Sequence, residues 1–208
     1  MPLGLPLTNS SNDTPDLDIV RLIEVLDRHG VEYLVVGGIG AQAYGATRLT
    51  KDLDCLALRS KTNLERLAAA MRELNARLRV EGLSDAEAAQ LPVQLDAQFL
   101  IAIEISTWRT DAGDFDLLTD IPAKDGRKQQ YEDLAGNARP LKVAGRTIQV
   151  AGLGDIVASK EWANRPKDRE ALPELHELLD KMSQGPKVDD LGHASPPDAS
   201  CGLGRTRR

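Results

Sequence analysis

The sequence predicts a mixed α/β fold, in which a mixed sheet is flanked by helices and followed by a helical C-terminal portion. Two observations predict it. Helical and extended apolar patterns alternate over the first half of the chain, in the order helix, strand, helix, strand. Later, STWRT and DFDLLTDI are separated only by DAG, which is typical of two strands joined by a tight turn. We place this domain at residues 16–182, with its helical part at about 153–182.

The first four elements are predicted from apolar spacing and glycine. Apolar residues recur at helical spacing in DLDIVRLIEVLDRHG, which follows Thr14-Pro15 and ends at Gly30. VEYLVVGG is a short β-branched run bounded by glycine and predicts a buried strand. The small-residue stretch IGAQAYGA predicts a helix packed behind it. RLTKDLDCLALR then predicts the second strand.

Capping patterns and prolines mark the later elements. Thr62-Asn63-Leu64-Glu65 is typical of a capping box and predicts a helix to about Asn75, and Ser84-Asp85-Ala86-Glu87 predicts a shorter helix. QFLIAIEI fits a strand or a helix, because short apolar runs do not distinguish them. RTIQVAG predicts another strand. The helical pattern from residue 152 to 182 is interrupted at Pro166 and Pro173.

Composition limits the classes of function. The chain has 208 residues, 41% of them hydrophobic, which is enough for one domain with a buried core. Only 3% are aromatic, which argues against a surface that holds bases by repeated stacking. A net charge of −6 excludes a general nucleic-acid binder held by phosphate attraction. Any nucleotide or nucleic acid must therefore be bound at a local basic site.

The two ends of the chain differ from the middle in composition. Residues 1–15 predict a mobile tail, and residues 183–208, rich in Gly, Pro, Asp and Ser, predict a disordered one. Cys55 and Cys201 form no disulfide framework, and we find no signal peptide or membrane-spanning segment. We therefore expect a cytoplasmic protein.

Pairs of acids interrupt two of the predicted strands. Asp52 and Asp54 share one face of a strand, and burial of two like charges is costly unless a cation lies between them. Magnesium, which takes oxygen ligands, suits that position. Asp114 and Asp116 repeat the pattern, and three converging carboxylates can hold two metal ions about 4 Å apart for nucleotidyl transfer. The alternatives are a solvated strand edge and an exposed hairpin acid.

A pair of glycines lies between the first strand and the next helix. Backbone amides and the positive end of a helix therefore face the space beside Gly37 and Gly38, which suits a triphosphate. No G-K-[ST] follows, so this is not the usual strand-linked phosphate loop. The alternative is an ordinary tight turn.

Taken together, YLVVGGIGAQAYGATRLTKDLD, GDFDLL and SKEWANRPKDREALPEL resemble the AbiEii/MenT group of nucleotidyltransferase-like toxins, within the polymerase beta-like nucleotidyltransferase superfamily. The resemblance covers roughly residues 17–181. It implies a magnesium-dependent enzyme with two ions, which transfers a nucleotide from a nucleoside triphosphate to the 3′ end of tRNA and so blocks translation. It also implies that the enzyme is the toxin of a toxin–antitoxin pair with a cognate antitoxin protein.

The resemblance also implies roles for individual residues. The residues that match are the metal-binding acids Asp52, Asp54 and Asp116, the triphosphate turn Gly37 and Gly38, the phosphate contact Lys160, and Asp168, an acid that helps to shape the site. We count the four acids and Lys160 as catalytic. Asp114 is the reserve for the third acid. Many members of the superfamily have Gly-Ser at the turn, so here backbone amides must replace the serine hydroxyl.

Several of these positions have an ordinary structural alternative. Lys160 fits a surface lysine with a partly buried stem, and Asp168 fits a helix cap. Arg48 and Arg165, like Lys167, are candidate nucleotide contacts, or else solvated charges. The arginines at positions 59, 66, 72, 77 and 79 fit a basic platform for an acceptor stem or a solvated helix face.

Thr50 is a candidate for regulation. It lies two residues before Asp52, so its hydroxyl should share the strand face with the acids. Some similar toxins carry a hydroxyl residue there that an antitoxin phosphorylates. A phosphate would add about −1.5 to −2 charges beside the acids and oppose nucleotide binding. The alternative is a threonine that simply favours a strand.

Two other functions fit the same residues. The acceptor of the nucleotide could be a protein side chain or a small molecule such as an aminoglycoside or lincosamide, which the acidic net charge and scarce aromatics suit better than RNA. A non-catalytic binding domain of the same fold is the third hypothesis.

Overall fold

The computed structural model describes residues 16–184. The tail predicted at residues 1–15, and the tail predicted at 183–208 apart from its first two residues, lie outside the described residues. Within them the predicted fold class is confirmed: a mixed sheet is flanked by helices, and two helices form the C-terminal portion. No helix in this part of the chain is both long and apolar enough to span a bilayer.

The helices of the described residues are α1 (Ile19–Arg28), α2 (Gly37–Ala43), α3 (Lys61–Glu73), α4 (Asp85–Ala88), α5 (Ala97–Ala102), α6 (Tyr131–Ala135), α7 (Leu153–Ala163) and α8 (Pro166–Gln184). The strands are β1 (Tyr33–Val35), β2 (Asp52–Ala57), β3 (Arg77–Leu78), β4 (Ile105–Thr110), β5 (Gly113–Leu118), β6 (Ile121–Pro122), β7 (Lys128–Gln129), β8 (Arg139–Val143) and β9 (Arg146–Val150).

Seven strands form the main sheet in the order β3-β4-β5-β2-β1-β9-β8, and β6 and β7 form a separate pair. The strand β2 runs parallel to β5 and antiparallel to β1. The pairing of β4 with β5 is antiparallel, as the predicted tight turn requires. Because β2 and β5 are neighbours, the two acidic segments lie side by side in the sheet.

Side-chain caps fix where several helices begin. Asp18 accepts a hydrogen bond from the backbone N–H of Arg21 at the start of α1. The capping box predicted at Ser84 is confirmed, but the one predicted at Thr62 is wrong. Ser60 caps α3 instead, accepting from the backbone N–H of Asn63. Sequence could not separate the two positions, because both offer a hydroxyl just before an apolar run.

The C-terminal helices show one correct and one wrong proline prediction. Asn164 adopts a left-handed conformation and ends α7, and Pro166 begins α8, where its missing N–H is harmless. Pro173 lies inside α8 and does not end it. The buried side chains of Ala171 and Leu175 anchor the helix on both sides of this proline, so packing outweighs the lost hydrogen bond.

Three further elements refine the sequence predictions. The ambiguous stretch QFLIAIEI divides into α5 and the start of β4. Pattern analysis missed β8, because it is an edge strand that is mostly exposed and contains Pro140. The core is mainly aliphatic, as the scarcity of aromatics requires, with Trp108 and Phe115 as its largest buried side chains.

Candidate active site

Three carboxylates converge where β2 meets β5. The residue opposite Asp54 in the neighbouring strand is Asp116, and the residue opposite Asp52 is Asp114. One carboxylate oxygen from each of Asp52, Asp54 and Asp116 lies within 4.8 Å of the other two. The predicted convergence of acids that are distant in sequence is therefore observed.

Asp114 has different surroundings from the three clustered acids. Its Oδ1 accepts from Arg109 Nε at 3.0 Å and its Oδ2 from Arg79 Nη1 at 2.9 Å. Within residues 16–184, none of the three clustered carboxylates forms an ion pair with a basic side chain. The geometry thus brings Asp116, rather than the reserve Asp114, to the acidic pair.

Burial and mutual repulsion both act on the cluster. Burial, together with the negative charges of Asp54 and Asp52, raises the pKa of Asp116 to about 7. Burial and the charge of Asp52 likewise raise the pKa of Asp54, against the opposing effect of the Gly38 amide. Three oxygen ligands that no cationic side chain of the described residues pairs with fit a hard divalent cation such as Mg²⁺.

The Gly37-Gly38 turn lies directly against these acids. Gly37 has φ +59°, and a Cβ at this position would overlap the Asp54 carboxylate. The N–H of Gly38 donates to Asp54 Oδ2 at 3.4 Å, and a Cβ there would lie 2.7 Å from Thr50 Cβ. Side chains at either position would push the turn away from the acids. Glycine is therefore required for this close approach.

The buried acid Asp168 holds the side chains of Lys160 and Arg165, which form the basic wall of the site. Asp168 is fully buried and accepts from Lys160 Nζ at 3.4 Å and from Arg165 Nε at 2.6 Å. Burial raises its pKa, but the hydrogen bonds and charges of Arg165 and Lys160 lower the pKa overall. Asp168 also accepts from the backbone N–H of Arg165, so it caps α8 as the structural alternative predicted. Asp168 therefore holds the charged side chains of Lys160 and Arg165 in place, and it is not one of the three clustered acids.

These groups share one cavity of about 510 Å³. The sequence-predicted residues that line it are Gly37, Gly38, Arg48, Thr50, Asp52, Asp54, Asp116, Lys160, Arg165 and Lys167. Asp168 does not line the cavity, because it lies beneath the side chains of Lys160 and Arg165. Arg48 also pairs with Glu170 across the rim at 2.7 Å.

Sequence reasoning missed three polar residues that line this cavity, Lys51, Thr107 and Glu174. Lys51 directly precedes the acidic strand, but a single charge at a strand end carries no specific signal. Thr107 lies opposite Asp116 in the register of β4 and β5. Only the pairing of these strands reveals its position. The arginines proposed as a platform are dispersed: Arg59 and Arg72 donate to backbone carbonyls, and Arg79 joins Asp114.

Solved structures with a similar fold are nucleotidyltransferases. A crystal structure of ANT(2'')-Ia in complex with adenylyl-2''-tobramycin matches with 16% identity and a TM-score of 0.53, covering 80% of this chain and 89% of that one. A solution structure of the same antibiotic-resistance factor matches with 16% identity and a TM-score of 0.51, covering 77% and 82%. The lincosamide antibiotic adenylyltransferase LnuA, with lincomycin bound, matches with 10% identity and a TM-score of 0.51, covering 79% and 99%.

These matches show that the chain has the nucleotidyltransferase fold. No protein-family model matches the sequence, and no curated protein matches it at a significant level. The narrower resemblance to AbiEii/MenT toxins has no counterpart among these comparisons.

Proposed function

We propose that the protein is a magnesium-dependent nucleotidyltransferase. The observation that carries the proposal is the cluster of Asp52, Asp54 and Asp116, which lacks a basic partner within the described residues and faces a glycine turn. When bound there, Mg²⁺ would neutralise phosphate charge and orient the reacting oxygens. The fold of the solved nucleotidyltransferases supports the proposal independently.

In this mechanism the basic wall binds the triphosphate. Lys160 and Arg165, held by Asp168, contact its phosphate oxygens together with Arg48, and Gly37-Gly38 contributes backbone amides. An acceptor hydroxyl attacks the α-phosphorus from the opposite side. The new P–O bond forms as the bond to the bridging oxygen breaks, and pyrophosphate leaves toward the basic wall. The hydroxyl proton passes to the carboxylate of Asp116.

The acceptor has two candidates. The resemblance of the sequence to AbiEii/MenT toxins favours the 3′ end of tRNA, and with it inhibition of translation in the cytoplasm and a cognate antitoxin. The comparisons favour a small molecule, because the similar structures are of proteins that carry an adenylylated tobramycin or bind lincomycin. A protein side chain is the other acceptor that the second hypothesis allows.

Regulation through Thr50 is proposed together with the first acceptor candidate, the 3′ end of tRNA. The Thr50 hydroxyl donates a hydrogen bond to Asp52 Oδ1, and its side chain packs beside Gly38. A phosphate on this hydroxyl would place negative charge between the glycine turn and the acids. We propose that such a modification would switch the enzyme off.

The test is transfer of label from each of the four α-labelled nucleoside triphosphates. The acceptors offered are total tRNA, cell protein and a panel of hydroxylated small molecules that includes tobramycin and lincomycin. We expect one class of acceptor to become labelled, with pyrophosphate released, only when Mg²⁺ is present and not with Asp52→Ala. If calorimetry detects no magnesium-dependent nucleotide binding, the protein is the non-catalytic binding domain instead.

A further inference from the structure

A second cavity adjoins the acidic cluster on the side away from the glycine turn. It measures about 540 Å³ and lies between β4 and the segment from Arg79 to Asp85. Thr107 lines both this cavity and the one that contains the acids. Since Thr107 pairs with Asp116, the second cavity begins one strand, about 4.8 Å, from the third acid.

We propose that this second cavity binds the acceptor, and that the acceptor is a hydroxyl-bearing small molecule that is neutral or positively charged. The inference rests on the proposed nucleotidyl transfer and adds the place and the chemical class of its second substrate.

The direction of attack places the acceptor on this side. In an in-line displacement, the attacking and leaving oxygens lie on opposite sides of the phosphorus. The glycine turn follows β1, which lies on the opposite side of β2 from β5 and β4. Pyrophosphate therefore leaves toward β1. The attacking hydroxyl must then approach over β4 and β3, where the second cavity opens.

The charges of the second cavity do not suit a polyanion. Arg109 is already shared between Asp114 and Asp85, and Arg79 is paired with Asp114. Glu81 also lines the cavity and forms no ion pair within residues 16–184. Two arginines thus face three carboxylates, so the second cavity has no excess of positive charge to attract an RNA backbone.

The first cavity, which contains the three acids and where the triphosphate would bind, is lined by more basic residues than the second. Its basic lining residues are Arg48, Lys51, Lys160, Arg165 and Lys167, and two of them, Lys51 and Lys167, form no ion pair within residues 16–184. The phosphate-binding charge of this face is therefore concentrated on the donor side of the acids. An RNA acceptor would need such unpaired cations along its path on the acceptor side, whereas Arg79 and Arg109, the basic residues that line the second cavity, are both paired with carboxylates.

The size and walls of the second cavity suit a small ligand. Its volume falls within the range of about 300–1,000 Å³ that is typical of small-molecule sites. Val80 and Leu83, which are 37% and 40% exposed, supply apolar wall surface, and Thr107 adds a hydroxyl. The ion pair of Arg109 with Asp85 ties α4 to the sheet at 2.8 Å, so the wall is preformed.

Two tryptophan substitutions, one in the wall of the second cavity and one at a distant control position, test the inference. Leu83→Trp narrows the cavity without touching the acids. The matched control is Met182→Trp, an exposed position on α8 that lies sixteen residues, or about 24 Å, beyond the start of the helix at Pro166. Two quantities are measured for each variant: magnesium-dependent nucleotide affinity by calorimetry, and transfer of labelled nucleotide to the small-molecule panel and to total tRNA.

We expect label on a small molecule, with kcat/KM for that acceptor at least about tenfold lower in Leu83→Trp and unchanged in Met182→Trp. Nucleotide affinity should stay the same in both variants. Label on tRNA or protein alone, equal transfer by Leu83→Trp, or nucleotide binding without any labelled small molecule would overturn the inference. Failure of the wild-type protein to bind nucleotide with Mg²⁺ would refute the proposed function itself, and so is recognisable as a different result.

Discussion

Asp116 on β5 lies directly opposite Asp54 on the parallel strand β2, and among residues 16–184 no basic side chain pairs with either carboxylate. We predict that Asp116→Asn will lower the rate of nucleotidyl transfer by about 100-fold or more, since changes beyond the metal ligands alone cost about 10- to 100-fold. The variant should also bind Mg²⁺ more weakly in calorimetry, with no loss of thermal stability.

Asp114→Asn is the matched control, because it removes the same charge two residues away. It should retain magnesium-dependent nucleotide binding. Its free energy of unfolding should fall by about 1–3 kcal/mol, less than for a fully buried pair because the Arg79 side chain is 43% exposed. If instead Asp114→Asn loses metal binding and Asp116→Asn keeps it, the assignment of the third acid is wrong.

The stability of the metal-free protein should decrease as pH rises from about 4 to about 7. An unfolded aspartate has a pKa of about 3.9, but that of Asp116 is raised to about 7 by burial and by neighbouring acids. Between these values the folded state binds more protons than the unfolded state, so raising the pH favours unfolding. Thermal melting across this range, in the presence of a chelator, measures the slope.

Two further measurements identify the group that causes the dependence of stability on pH. Asp116→Asn cannot ionise, so its melting temperature should depend less on pH than that of the wild type. Mg²⁺ should stabilise the wild type most near and above pH 7, where the carboxylates are charged. A wild-type slope that is identical to the variant's would show that Asp116 does not titrate in this range.

Gly37→Ala should abolish magnesium-dependent nucleotide binding. Its Cβ would overlap the Asp54 carboxylate, and the residue has φ +59°. Gly30→Ala is the control: it has a similar φ of +65°, but a Cβ there meets nothing within 4 Å. Both variants should lose about 1–2 kcal/mol of stability from backbone strain. Equal nucleotide binding by the two would contradict the close approach of the turn to the acids.

Lys160→Met should raise the KM for the nucleoside triphosphate by about tenfold, since it removes a cation from the phosphate-binding wall. Lys181→Met, which changes a lysine in the last turn of α8, should leave KM unchanged. Steady-state kinetics with varied nucleotide separates them.

Asp168→Asn should act through the two cations that Asp168 holds. We expect weaker nucleotide binding together with a loss of about 1–3 kcal/mol in stability, less than for a fully buried pair because the Arg165 side chain is 57% exposed. Denaturant unfolding and calorimetry measure the two effects. Unchanged nucleotide affinity in a folded Asp168→Asn protein would limit the residue to its capping role.

Thr50→Glu should lose both transfer activity and nucleotide affinity, because it places a negative charge beside Asp52. Thr50→Val removes the hydroxyl without adding charge, and should keep most of the affinity. Calorimetry with Mg²⁺ and nucleotide compares the two variants. Full activity of Thr50→Glu would exclude Thr50 as an off switch.

The sequence by itself determined the α/β order and the residue types of the site. Alternation along DLDCLAL and DFDLL fixed which acids share a strand face, and the glycine pair marked the turn, because both are properties of the local backbone. Local signals were less reliable where packing competes with them. Pro173 lies inside α8 because its buried neighbours anchor the helix.

Only the tertiary structure decided which acids meet and what surrounds them. The parallel pairing of β2 with β5 places Asp116 in the cluster, and the antiparallel pairing with β4 gives Asp114 its arginine partner Arg109. The same pairing joins Thr107 to the acids and opens a second cavity beside them. Strand register is a long-range choice made by the whole core, so no short stretch of sequence carries it.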